Sequence, residues 1–396
     1  MARASLLVLA SMASASDESA PSPAASCRPW CEPTREESHN LMFAGSWRQT
    51  TAEANAAPPC CGYDGGAWKH EKACTTRGQS TWQMDRHGSY AGPRGGWARS
   101  GGYSCNCEPT AYYTWDAPNS CRLLAWDARA FCDVLGAGKR LVLIGDSTMG
   151  QAASTLMNAV ILGDGGCQER IVFALGDTLI QRNLGRLNRG AHWLDIVHRL
   201  DPDFVVLSTG AHILGENAES KYDMVVAEVL NQTRQLPRKI AARYAPAVPG
   251  RRLHVLWKTQ APGGCSSRPV AREASVTDCF EEPAYEDKQH WLQSSASAFL
   301  ARDARTVARF REAAWLDPHA ASIVDQRMLY WRADAHVDSN RTSPNNCLHH
   351  CLRTEVLSST FPRVLLHEMA ARTGRRGIST DSGYQRAELP HVTFRR

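Results

Sequence analysis

Three short stretches carry the residue types that acyl-transfer chemistry needs. The first is Gly145-Asp146-Ser147, which follows the apolar run Arg140-Leu141-Val142-Leu143-Ile144. A hydroxyl between a buried strand and a helix sits where backbone N–H groups and the positive helix end stabilise a developing oxyanion. The alternative is that Asp146 or Ser147 only caps the helix, as both residue types do well. The second stretch is Leu207-Ser208-Thr209-Gly210-Ala211-His212. A glycine there lets the backbone approach a ligand and lend it an N–H; the alternative is a tight turn. The third is Asn346-Cys347-Leu348-His349-His350-Cys351-Leu352. Two histidines between two cysteines read as a catalytic imidazole pinned by disulfides, as a zinc site, or as a solvated pair.

These residues need a scaffold, and the pattern provides one. Arg140-Leu141-Val142-Leu143-Ile144, Asp203-Phe204-Val205-Val206-Leu207 and Leu253-His254-Val255-Leu256-Trp257 read as buried strands, and Ile171-Val172-Phe173 is a further strand candidate. Residues 151–161, 221–243, 287–312 and 353–373 read as helices, with Ala314-Trp315-Leu316 as a short strand. Strands alternating with helices predict an α/β fold, a parallel sheet covered on both faces. Ligands of such sheets lie at the carboxyl ends of the strands, which is where Ser147 and Gly210 fall.

Composition bounds the rest. The chain has 396 residues, 43% of them hydrophobic, enough for one large domain or two modest ones. The net charge of +5 is dispersed, and no basic stripe interleaves with aromatics, which argues against nucleic acid. Residues 1–15 carry one arginine, an apolar run and small residues, the pattern of a signal peptide; a short uncleaved anchor is the alternative. No later stretch is apolar enough for a membrane span. There are 14 cysteines, nine of them before Ser147, and in a secreted chain such crowding reads as disulfides. The sequons Asn231-Gln232-Thr233 and Asn340-Arg341-Thr342 fit the same compartment. The expected organisation is a signal peptide at 1–15 and a Ser/Ala/Pro linker at 16–26. A Cys-rich, loop-rich region follows at 27–135, then a catalytic domain at 136–375 and a tail at 376–396.

An ordered set of motifs resembles the trichome birefringence-like proteins, the PC-esterase branch of the SGNH (GDSL-like) hydrolases. Gly45-Ser46-Trp47 resembles the family's amino-terminal Gly-Ser-Trp. Tyr112-Tyr113-Thr114-Trp115, Cys121-Arg122-Leu123, Phe131 and Gly138-Lys139-Arg140-Leu141 resemble its approach to Gly-Asp-Ser. Ser208-Thr209-Gly210 stands for its Asn-Thr-Gly, and Lys258-Thr259-Gln260-Ala261-Pro262 for its Arg-Thr-x-Ser-Pro. Arg332-Ala333-Asp334-Ala335-His336 resembles its Arg-x-Asp-x-His, and Cys347 to Leu352 its Cys-x-His-Trp-Cys-Leu. The set is colinear over roughly residues 40–370.

The resemblance implies an SGNH-like three-layer fold with the Cys-rich region packed on it. It implies a nucleophile at Ser147, a base at His349, and oxyanion donors at Gly210 and the Ser147 N–H. The implied activity is O-acetyl transfer to glycan hydroxyls in the Golgi lumen or after secretion. A glycan-ester esterase, or a glycan-binding relative without catalysis, is the alternative. No cofactor or metal is expected; acetyl-CoA is a candidate donor substrate, and a glycan acceptor is the expected partner. Trp115, Trp126, Trp257 and Trp291 are candidates for stacking on a sugar, or for the core.

Three departures matter. Asn346 stands where the family has an aspartate. An amide can orient the His349 ring but cannot offset an imidazolium charge, and in a serine protease the same change costs ~10⁴ in rate. Asp334, then Asp338, are the replacement carboxylates to consider. Lys258 in place of arginine removes a planar fork. Ser208 in place of asparagine weakens a side-chain oxyanion contact. Lys258 and Ser208 are the expected substrate-side residues.

Overall fold

The computed structural model describes residues 46–50, 83–84, 90–91, 112–116, 124–180, 184, 190–213, 217–244, 253–260, 296–316, 321–325 and 360–373. Before the main sheet come β1 (Ser46–Thr50), β2 (Gln83–Met84), β3 (Tyr90–Ala91) and β4 (Tyr112–Asp116). β1 and β4 pair antiparallel with Trp47 opposite Trp115, and β2 pairs antiparallel with β3. Two motif fragments far apart in sequence, Ser46-Trp47 and Tyr112 to Trp115, are thus strand neighbours.

The body alternates in the expected way. It runs α1 (Ala128–Leu135), β5 (Leu141–Gly145), α2 (Ser147–Leu162), β6 (Ile171–Leu175), α3 (Trp193–Leu200) and β7 (Phe204–Ser208). It continues with α4 (Ala218–Tyr244), β8 (His254–Lys258), α5 (Ala296–Leu316), β9 (Ala321–Val324) and α6 (Thr360–Thr373). β5 to β9 form one sheet, every neighbouring pair parallel, in the order β6-β5-β7-β8-β9. In chain order this is second, first, third, fourth, fifth. The direction of winding therefore reverses between β5 and β7.

Every residue of β5, β6 and β7 is buried, which explains their unbroken apolar runs. Side chains alternate between two clusters. Leu141, Leu143, Phe204 and Val206 join α1, α2 and α6 through Phe131, Leu156 and Leu365 on one face. Val142, Ile144, Val205 and Leu207 join α3, α4 and α5 through Ile196, Val226 and Phe310 on the other. Each such fully buried side chain contributes about 1.5–3 kcal/mol.

One expected strand is not a strand. Ala314-Trp315-Leu316 forms the last turn of α5, and the strand follows at Ala321–Val324. Val307, Phe310 and Ala313 are buried at a spacing of three, so α5 carries a continuous apolar face up to this segment. The Ala-rich stretch also favours helix intrinsically. Helix α1 lies within the segment read as Cys-rich and loop-rich. Its Phe131, Val134 and Leu135 belong to the core of the first face, and Cys132 is bonded to Cys167 just before β6. Among the described residues, no helix is long and apolar enough to cross a membrane.

Candidate functional site at the switch point of the sheet

The reversal places the ends of β5 and β7 side by side. Gly145 pairs with Leu175 of β6 on one side and with Ser208 of β7 on the other. A Cβ on Gly145 would lie 2.3 Å from the Ser208 carbonyl oxygen, so only glycine permits this approach. The next residue, Asp146, is the N-cap of α2 and is fully buried. Its Oδ1 accepts from Thr148 N at 2.9 Å and from Thr148 Oγ1 at 2.7 Å. Its Oδ2 accepts from Ala211 N at 3.3 Å, across the switch point. Asp146 is therefore a helix cap and also a tether between the β5–α2 turn and the loop after β7.

Ser147 is the first residue of α2 and is 5% exposed. Its N–H belongs to the first turn, where intrahelical acceptors are lacking. Across from it, Gly210 has φ +144°, a conformation L side chains rarely adopt. A Cβ there would meet Gln260 Oε1 at 2.0 Å and Arg302 Nη2 at 3.2 Å. Thr209 Oγ1 donates to the Asp177 carbonyl, and Ile213 N to the Gly210 carbonyl at 3.2 Å. Gly210 is thus fixed from several sides. A buried hydroxyl, a helix amino end and a pinned glycine loop form a setting that stabilises negative charge on a reacting oxygen.

The two expected substrate-side residues are buried. Ser208 is fully buried, and its Oγ has no hydrogen-bond partner among the described residues. Lys258 ends β8, is 2% exposed, and donates from Nζ to the Thr259 carbonyl at 3.1 Å. Burial pulls its amine down to about 8, against the opposing attraction of the Asp146 and Asp303 carboxylates. The carboxylate felt most strongly is thus the one beside Ser147.

Sequence reasoning gave no role to five buried polar residues here: His212 and Gln260, which lie within its motifs, and Asp177, Arg302 and Asp303. Arg302 Nε lies 3.7 Å from Asp303 Oδ1, and its guanidinium sits 4.2 Å over the Tyr222 ring. Tyr222 is pushed above its ordinary range, first by burial and then by Asp303. Asp177 and His212 follow β6 and β7, so the strand-end rule that located Ser147 also points to them. Arg302 and Asp303 lie within α5, where no local signal distinguishes them from surface charges.

His349, Asn346, Asp334 and Asp338 lie outside the described residues, as do Trp291, the second sequon and the segments at 1–15, 16–26 and 376–396. Trp257 is fully buried, its ring centroid 5.2 Å from Phe310 and 6.2 Å from Tyr222, so it packs in the core and offers no surface to a sugar. Trp126 packs on Phe131 at 5.4 Å and donates to the Ala159 carbonyl at 3.3 Å. Trp115 lies on β4. Among the described residues, no group of three or more His, Cys, Asp or Glu side chains could hold a metal ion. Compared with known proteins, the chain matches no family model and no curated protein sequence.

Proposed function

We propose that the protein is a serine-dependent acyltransferase of the SGNH type that moves an acetyl group onto a glycan hydroxyl through an acyl-enzyme on Ser147. One observation carries the reading. Ser147 begins the helix after the first strand of a parallel sheet, at the point where the winding reverses, and Asp146 ties it to the Gly210–Ala211 backbone. The oxyanion rests on the N–H groups of Ser147 and Gly210. An imidazole takes the Ser147 proton; the resemblance to the trichome birefringence-like proteins assigns this role to His349, oriented by Asn346. Acyl transfer to water in place of a sugar makes the same machinery an esterase, and the balance depends on how well the acceptor excludes water. The buried Cys132–Cys167 bond supports passage through an oxidising compartment, in keeping with a Golgi-lumenal or secreted protein.

The test is covalent labelling of the folded, full-length protein by a fluorophosphonate. It is paired with acetyl release from p-nitrophenyl acetate, with and without oligosaccharides. Labelling of wild type and none of Ser147→Ala is expected, with acetylated sugar among the products. Failure of wild type to label or to release acetyl would leave a glycan-binding protein, a reading that Asn346 favours.

A further inference from the structure

The sequon Asn231-Gln232-Thr233 falls in the middle of α4, whereas a surface loop is the usual setting of such a motif. We propose that Asn231 carries an N-linked glycan, attached before α4 folds against the sheet. The proposal rests on passage through the secretory pathway and not on Ser147 being a nucleophile. Asn231 is exposed, while Thr233 is only 4% exposed. Successive helix residues turn by about 100°, so residues two apart point to nearly opposite sides.

The folded helix withholds part of the motif. Thr233 Oγ1 donates to the Val229 carbonyl at 2.8 Å. Gln232 Oε1 accepts from Trp193 Nε1 of α3 at 2.6 Å, and its Nε2 donates to Glu228 Oε1 at 3.0 Å. Two of the three sequon side chains are therefore held by the fold. Asn231 Oδ1 accepts from Gln235 Nε2 at 3.2 Å on the exposed side, a contact that does not engage Nδ2, the atom that bears the sugar. A sequon is recognised through its asparagine amide and its hydroxyl together, and folded α4 presents only the first. A glycan already on Asn231 meets only solvent, so the finished fold accommodates it.

The order of the chain supplies the window. The cluster that buries Val226 and Val229 includes Trp257, Val307 and Phe310. The Tyr222 ring meets Trp257 at 6.2 Å and the Arg302 guanidinium at 4.2 Å, and Arg305 donates to Glu219 at 3.0 Å. These partners belong to β8 and α5, which are synthesised after the sequon. Until they arrive that side of α4 has nothing to dock against, and helices draw most of their stability from such packing. The β-branched Val225, Val226, Val229 and Thr233, with Pro237, lower its intrinsic propensity further. In the transfer, the bond between the anomeric carbon and the pyrophosphate of a lipid-linked oligosaccharide breaks, and that carbon bonds to Asn231 Nδ2. The lipid pyrophosphate leaves, and Nδ2 gives up one proton to water.

The experiment expresses the full-length chain with its own amino terminus in a eukaryotic secretory cell. Asn340→Gln removes the other sequon, and Asn231→Gln, Thr233→Val and Thr233→Ser are made in that background. Peptide mapping and endoglycosidase-sensitive mobility read the glycan. One such shift is expected in the background chain and in Thr233→Ser. It should be lost in Asn231→Gln and in Thr233→Val, which matches threonine in shape and keeps the circular dichroism of the fold. In parallel, a solubilised oligosaccharyl transferase and its lipid-linked donor are given either the folded, unmodified protein made in a bacterial periplasm or a peptide of residues 226–238. The peptide should be modified and the folded protein left untouched. An unmodified Asn231 in secreted protein whose Cys132–Cys167 bond is formed overturns the proposal but leaves the secretory route standing. An unmodified Asn231 with both thiols reduced overturns both. Folded protein modified as fast as the peptide overturns the order of events.

Discussion

Asp146 shows how one side chain can serve fold and chemistry together. Its two carboxylate oxygens cap α2 through Thr148 and hold the Ala211 N–H. A helix cap alone is worth ~1 kcal/mol. The second bond adds a constraint that capping does not need, namely the distance between Ser147 and the Gly210 loop. Gly210, like Gly145, is a residue whose identity is forced. Gly210→Ala would place a methyl at φ +144° against Gln260. Strain of this kind costs about 1–3 kcal/mol, which urea unfolding will show as a lower midpoint. If the clash with Gln260 shifts the Gly210 backbone, its N–H is displaced from the oxyanion, which should in addition slow labelling of Ser147, by up to ~10²–10³.

At the scale of elements, the contact between α6 and β9 carries a pH dependence. Glu368 on α6 is buried, accepts a hydrogen bond from the Ser322 hydroxyl on β9, and has Arg372, Arg311 and Asp325 nearby. Burial raises its carboxyl from 4.5 to about 7, outweighing the hydrogen bond and the two arginines. The folded protein therefore holds a proton that the unfolded chain has released. Stability falls as pH rises from about 4.5 to about 7 and is flat above. Glu368→Gln keeps the acceptor and removes the charge. It is expected to unfold at higher urea than wild type at pH 8, by on the order of 3 kcal/mol, with no difference at pH 4. Equilibrium unfolding at the two pH values measures this directly.

For the whole molecule, the Cys132–Cys167 bond joins α1 to the segment entering β6 and closes a loop with a sequence separation of 35. Loop-closure entropy gives such a link about 3–4 kcal/mol. The Cys132→Ala/Cys167→Ala double variant should lose that much unfolding free energy while keeping its parallel sheet, as judged by urea titration and circular dichroism. A helix from the segment read as Cys-rich is by this bond, and by Phe131 and Leu135, an integral layer of the α/β body.

The sequence alone determined β5, β7 and β8 and pointed to β6, because burial in a parallel sheet writes such strands as largely apolar runs, whereas β9, short and interrupted by Ser322, carries no such signal. Residues 140–144, 203–207 and 253–257 lie within one residue of β5, β7 and β8. It likewise determined that Ser147 and Gly210 stand at strand ends, since Gly-Asp-Ser and Ser-Thr-Gly directly follow such runs. It misread 314–316, where a short apolar run in isolation does not distinguish a strand from a helix end. Only the tertiary structure decided the strand order, and with it the meeting of Asp177 and His212 over the end of β5. That order is set by pairing between segments far apart in the chain, which no local pattern encodes. The same holds for Arg302 and Asp303, polar residues on α5 that only packing against Tyr222 and Gly210 marks as interior.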